Sequence, residues 1–291
     1  MDRGRPGISP ANLRHLARML KQGRRPASTV YDSIGSDFFL SPAPGWLNLG
    51  LWEGEGDERE AEAAVHRLVR TLALELPTGG TILDVANGLG AQDPVIAEVT
   101  SPRLFVAVNI TESQLRAGRD RLDAAEARPV LADAVHLPVM SDAVDGVISV
   151  EAAFHFSSRE RFFNEVRRVL RPGGRLAMSD IAVERQRPRT VGEAVAGISN
   201  LRTWGVRRRA LQSASEIRAS LDALGFTDIE IRSVGDRVLV PAIAFMRGRL
   251  QRTPEAPALH RFGAKLLLNQ WELLYRRGMM DYILTTATAA R

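Results

Sequence analysis

Nine consecutive residues, Ile82-Leu83-Asp84-Val85-Ala86-Asn87-Gly88-Leu89-Gly90, carry the sharpest chemical signal in the chain. A short apolar run that opens into glycines lets backbone approach a nucleotide-like ligand, because no side chain stands in the way. A pyrophosphate cradle would want a third glycine to pack the following helix, and Ala91-Gln92-Asp93-Pro94 comes instead. A dinucleotide is therefore disfavoured, while a plain structural turn stays open as the reading of a lone glycine pair. Three titratable residues farther along, Glu151, His155 and Asp180, are candidates for proton transfer. Histidine titrates near neutrality and is the natural general base. His155 lies between Phe154 and Phe156, so a space-filling ring with local hydrogen bonds competes with that reading, and Asp180 is equally open to capping a strand end. His15, His66, His136 and His260 lack metal-ligand spacing, and no required metal is expected. There is no Ser-His-Asp nucleophile elbow and no phosphate-binding P-loop.

The elements around these residues alternate. Ala61, Ala64, Val65, Leu68, Val69 and Leu72 recur at helical spacing in 58–76, and Pro77 with Gly79-Gly80 ends that helix. Thr81–Val85 reads as a strand running into the glycine turn, and a helix follows around Pro94–Val99. Leu104–Val108 is the next strand, and Thr111-Glu112-Ser113-Gln114 forms a capping box that opens a helix reaching about Ala127. Strands at 129–131, 144–150 and 175–183 enclose a helix at 159–170, after which regularity lapses from 184 to 207. A helix at 215–224, a strand at 228–234, a largely helical stretch at 241–276 and a strand at 282–286 complete the chain. Strands alternating with helices predict an α/β fold, a Rossmann-like doubly wound, mostly parallel seven-stranded sheet with helical lid insertions.

Composition excludes several classes. At 291 residues, 45% hydrophobic and 25% charged, the sequence is that of an ordinary globular protein. The net charge of +5 rests almost wholly on arginine, the lysines being Lys21 and Lys265. Arginines such as Arg207, Arg208 and Arg209 are interspersed with acids and accompany no aromatic-interleaved basic motif, so a solvated surface is expected rather than nucleic-acid binding. The absence of cysteine removes disulfides, thiolate metal sites and cysteine nucleophiles. No apolar run reaches the ~20 residues of a membrane span. A cytoplasmic protein with no membrane partner is expected, its oligomeric state open. Residues 1–30 read as a tail or docking helix through Leu13, Leu16, Ala17 and Leu20, and Tyr31–Trp52 is dense in aromatics.

Taken in order, the motifs resemble those of class I S-adenosylmethionine-dependent methyltransferases, particularly the branch of natural-product sugar O-methyltransferases, sterol methyltransferases and cyclopropane-fatty-acid synthases. Residues 82–90 resemble the first motif, Val108-Asn109-Ile110-Thr111 with Gln114 the second-strand signature, and Ala132-Asp133-Ala134 with Leu137-Pro138 the adenine-pocket motif. Asp145–Glu151 and Leu170–Leu176 resemble two later ones. The likeness covers roughly residues 30 to 287. It implies S-adenosyl-L-methionine as cofactor, which carries no phosphate and suits this turn. It places the backbone of Asp84, Ala86 and Gly88 beside the methionine moiety, with the Asp84 side chain set back behind the contacts, Asn109 and Gln114 near the ribose, and Asp133 with Ala134 against the adenine. Ala86 replaces the first glycine of the motif, and Asn109 the carboxylate that many class I enzymes use for the ribose. In O-methylating relatives a histidine and an aspartate at the places of His155 and Asp180 form a base and its orienting partner, with Glu151 a rival.

The resemblance implies residues 1–57 as a tail and aromatic lid, and 58–291 as the methyltransferase domain with lid insertions near 184–212 and 241–278. Phe38, Trp46, Trp52, Trp204, Trp271 and Tyr275 in those lids favour a bulky, largely apolar small-molecule acceptor. O-methylation with His155 as general base is the leading expectation. C-methylation using Glu151, a cyclase or isomerase that has lost methyl transfer, and a non-catalytic cofactor-binding accessory protein stay open beside it.

Overall fold

The computed structural model describes residues 41–204, 206, 210–252 and 258–290. The expected tail helix, Tyr31, Phe38 and the run Arg207–Arg209 lie outside them. The apolar stripe of the first predicted helix forms α1 (Ala61–Ala73), with Ala64, Val65, Leu68, Val69 and Leu72 buried. Its entry is a 3-10 turn at Glu58–Glu60, where the Asp57 side chain accepts from the Arg59 N–H.

Seven strands follow: β1 (Thr81–Val85), β2 (Leu104–Asn109), β3 (Arg128–Leu131), β4 (Val144–Val150), β5 (Leu170–Ala182), β6 (Phe226–Ser233) and β7 (Asp281–Ala289). They form one sheet in the order β3-β2-β1-β4-β5-β7-β6. The first five are parallel, and β7 runs antiparallel between β5 and β6. The order reverses beside β1, between β2 and β4, so the loops leaving their carboxyl ends diverge there and open a crevice. All five residues of β1 are buried, as a central strand covered on both faces requires.

Helices α2 (Asp93–Thr100), α3 (Glu112–Ala117), α4 (Arg119–Ala124), α5 (Arg159–Val169), α6 (Val191–Thr203), α7 (Ala214–Ala223), α8 (Gly235–Arg252) and α9 (Ala258–Arg276) cover the sheet. Two apolar cores result, one led by Trp52, Leu68 and Phe245, the other by Phe162, Phe163 and Ile217. Trp52, 1% exposed, is part of the first core, packs on Phe245 at 5.5 Å between ring centroids and lines neither of the cavities described below. Among the described residues no helix is long and apolar enough to cross a membrane, and no group of side chains could hold a metal ion.

Two expectations need correction. The capping box at Thr111 does not form. Asn109 Oδ1 already accepts from the Thr111 N–H, the donor that Gln114 would have taken, and Gln114 Oε1 accepts instead from Asn109 Nδ2. The helix it was to open is split into α3 and α4 at Gly118, whose backbone comes so near Leu89 O that a Cβ would sit at 2.6 Å. The lapse after residue 183 contains α6, capped by the Thr190 side chain accepting from the Glu193 N–H. Gly192, Gly197 and the flanking prolines and arginines mask its period in the sequence.

Candidate active site

The turn after β1 is built on left-handed backbone. Ala86, Gly88 and Gly90 have φ of +68°, +60° and +75°. Ala86 N donates to Val108 O at 2.7 Å, which ties the turn to β2. A Cβ on Gly88 would stand 3.1 Å from Leu47 Cδ1, so glycine is what lets the 41–52 segment close over the turn. Asn109, at the end of β2, is the hub beneath it. Its Nδ2 lies 3.0 Å from Gly88 O, 3.1 Å from Gln114 Oε1 and 3.2 Å from Asn87 Oδ1.

Above this frame lies a cavity of about 280 Å³, lined by Ala86, Gly88, Asn109, Gln114, Asp133, Ala134, Glu151 and neighbours. No lysine or arginine is among its described lining residues. A pyrophosphate would be left there without a counter-charge, whereas two carboxylates, Asp133 and Glu151, suit a cation. Asp133 Oδ1 accepts from the Val135 N–H at 3.2 Å, which leaves its other oxygen for a ligand amine. These walls fit a phosphate-free nucleoside bearing a sulfonium.

Asp84 stands behind the cavity wall, as expected of its side chain. It is 0% exposed and does not line the cavity. Its carboxyl is turned under the turn and accepts from Gln92 Nε2 at 2.6 Å. Asn109 does line the cavity, but its amide is engaged within the protein, so Gln114, whose oxygen alone is taken, is the freer of the two to meet a ligand.

A second cavity of about 480 Å³ adjoins the first. Its walls come from α6, α8 and α9 and the segments around them, including Ile198, Leu201, Trp204, Met246, Leu267 and Trp271. Both expected lid insertions therefore contribute to it, while Tyr275 does not line it. Trp46, Leu47, Asn48, Glu151 and His155 line both cavities and form their common wall.

Glu151 directly follows β4 at φ +51°, an uncommon conformation for a residue with a side chain. Its Oε1 accepts from Leu49 N and Tyr282 Oη, both at 2.6 Å. Burial pushes its pKa up to about 7 against those two hydrogen bonds, and nearby Asp180 pushes the same way. His155 is held down to about 3, first by burial and then by the positive Arg159, against a backbone hydrogen bond at Trp204. It is a neutral imidazole at ordinary pH.

The expected pairing of Asp180 with His155 gives way to another partner. Asp180 Oδ2 accepts from Arg159 Nε at 2.8 Å, and its Oδ1 accepts from Phe154 N at 3.1 Å and Ile181 N at 2.9 Å. Arg159 also donates to Ala210 O and Ile181 O. The buried carboxylate is thereby saturated, and it anchors the backbone just before the histidine.

Comparison with known proteins agrees with this geometry. Residues 83–178 match a methyltransferase domain model. The chain is 29% identical over 242 residues to erythromycin 3''-O-methyltransferase of Saccharopolyspora erythraea, covering 77% of this chain and 76% of the relative. It is 31% identical over 254 residues to methyltransferase GfsG of Streptomyces halstedii, covering 83% of this chain and 86% of that one. The chain belongs to the S-adenosylmethionine-dependent methyltransferases.

The methyltransferase also shares its fold with the crystal structure of the [4+2]-cyclase SpnF, at TM-score 0.69 and 19% identity over 91% of this chain and 96% of the cyclase. That likeness speaks to architecture alone. Several residues of the enzyme's site were not legible as such. Asn48, 3% exposed, lines both cavities with an unpartnered Nδ2, and Arg159 and Tyr282 fix Asp180 and Glu151. Asn48 offered only one signal, a polar residue inside the aromatic segment 46–52.

Proposed function

We propose that this methyltransferase O-methylates a hydroxyl of a bulky, largely apolar small molecule. One observation carries the reading: the phosphate-free nucleoside cavity and the larger apolar cavity meet at Glu151 and His155, so a group bound in one faces a group bound in the other. S-adenosylmethionine supplies an electrophilic methyl group on a sulfonium. The residues of this chain must then hold the acceptor oxygen in line and take its proton. The relative erythromycin 3''-O-methyltransferase is named for transfer to an oxygen, which supports O-methylation here.

Two side chains compete for the proton. His155 is neutral at ordinary pH, and burial and Arg159 make its protonated form costly. Glu151, with a pKa near 7, is the stronger base and the better matched to neutral operating pH. We assign the proton to Glu151 and the orientation of the acceptor hydroxyl to His155. Gln114 and Asp133 hold the ribose and adenine sides of the cofactor, and Asn109 and Asp84 shape the turn beneath it.

Incubation of the enzyme with S-adenosylmethionine and a panel of hydroxylated macrolides and other polyketides tests this reading. Release of S-adenosylhomocysteine together with an O-methyl product is expected. Transfer to carbon instead would favour Glu151 acting on a carbon acid. Transfer confined to small polar acceptors would overturn the apolar assignment.

A further inference from the structure

Asp84 and Asp93 form a buried acid pair that the methyl-transfer reading does not use. Asp84 is the last residue but one of β1, Asp93 begins α2, and both are 0% exposed. They stand at the two ends of the cofactor turn, with their carboxyl groups within hydrogen-bonding reach of each other. Each receives one side-chain amide: Gln92 Nε2 to Asp84 at 2.6 Å, and Asn87 Nδ2 to Asp93 at 2.9 Å. Asp84 Oδ1 and Asp93 Oδ1 are left buried with no other partner.

Among the described residues no cation offsets them. Among neighbouring elements, Arg121 of α4 directs its guanidinium at Leu89 O, and Arg70 of α1 pairs with Glu98 at the surface. Beyond Asn87, the next groups from β2 and α3, Asn109 and Gln114, are amides bonded to Asn87 and to each other. Two carboxylates this close cannot both ionise in a dry site. A single proton between them resolves the conflict and gives an orphaned oxygen a short hydrogen bond.

We propose that Asp84 and Asp93 share one proton, and that the resulting hydrogen bond clasps the two ends of the cofactor turn, making Asp93 a positioning residue whose deprotonation weakens cofactor binding. The link to the cavity is continuous. Asp93 holds Asn87, Asn87 Oδ1 meets Asn109, and Asn109 holds Gly88 O and Gln114 in the cavity wall. Gly90 lies against the pair as well, since a Cβ there would stand 3.2 Å from Asp93 Oδ2. When the proton leaves to bulk water, the pair goes from one negative charge to two, and repulsion opens the clasp. Burial raises both carboxyls above their ordinary range, so the shared proton is still held at a pH where an ordinary aspartate has lost it.

Calorimetric binding of S-adenosylhomocysteine to the full chain between about pH 6 and about pH 8.5 tests the clasp, because one linked proton changes affinity by up to about tenfold per pH unit. The wild-type dissociation constant should rise with pH. Asp93→Asn, which keeps a hydrogen-bonding neutral group, should bind tightly with no such rise. A rise that persists in Glu151→Gln, where the other buried acid of the cavity no longer titrates, belongs to the pair. A flat wild-type profile, an unchanged slope in Asp93→Asn, or a slope abolished by Glu151→Gln would each overturn the proposal. Should Asp93→Asn fail to fold, infrared spectroscopy of Glu151→Gln gives an independent reading. A protonated carboxyl band that fades with the same midpoint as the affinity is expected, and its absence would contradict the shared proton.

Discussion

Ala86 holds a φ of +68° where glycine would be at ease, and a Cβ in the left-handed region costs roughly 1–2 kcal/mol. Glycine also gives the unfolded chain more freedom, which offsets part of that gain. Ala86→Gly is expected to leave stability unchanged or raise it by up to about 1 kcal/mol, read by urea denaturation. A loss of more than about 1 kcal/mol would show that the methyl group has a packing role that outweighs its strain. At this scale the sequence was partly legible. The glycine turn, Asp133 and Glu151 could be named from motif order, because each occupies a fixed place at a strand end. The state of His155 could not, since it depends on Arg159 claiming Asp180, a pairing 21 residues apart that no local pattern encodes.

The elements around the second cavity lead to a prediction that separates fold from acceptor binding. Gly197 lies within α6 and lines that cavity, and a Cβ there would meet nothing within 4 Å. Gly197→Leu should therefore stabilise the helix by about 0.5–1 kcal/mol through helix propensity. It should leave S-adenosylhomocysteine binding unchanged while raising KM for bulky acceptors. Equal KM values for the variant and wild type would place the acceptor elsewhere.

The buried pair that links α5 to β5 has the opposite character. Arg159→Ala leaves the Asp180 carboxylate uncompensated and should destabilise the protein by about 3–5 kcal/mol, and adding Asp180→Asn should recover part of the loss. Denaturation of the single and double variants checks the coupling. The parallel core strands were legible as short apolar runs, and the antiparallel strand β7 as a strand without its direction. α6 was not, because its apolar residues Val191, Val195 and Ile198 are exposed and two glycines interrupt them.

For the whole molecule, buried acids set the pH response. Glu151 sits near 7 against an ordinary 4.5, so its burial leaves stability intact below about pH 4.5 and subtracts from it as pH climbs to 7. Asp84 and Asp93 act in the same direction. His155, near 3 against an ordinary 6.5, acts oppositely: its penalty is felt at low pH and is gone above 6.5. Glu165 and Glu272, held low by Arg168 and Arg247, lend stability that is lost only as pH falls below the ordinary carboxylate range. With Asp180, which its burial also raises, four acids against one histidine predict a ligand-free protein that is less stable at pH 8 than at pH 5, read as the urea midpoint.

The same charges bear on turnover. A base that works only when ionised, combined with a cofactor clasp that works only when protonated, confines efficient catalysis to a band near neutrality. At saturating cofactor and acceptor the clasp drops out and the base remains. The pH dependence of kcat, followed by S-adenosylhomocysteine release with an O-methylated acceptor, is therefore the most direct test. The account predicts a rate that rises through about pH 7 and levels off, with Glu151→Gln slowing it by about 10²- to 10⁴-fold and removing the rise. A wild-type rate flat across that range, retained in Glu151→Gln and abolished in His155→Ala, would contradict it and return the proton to the histidine.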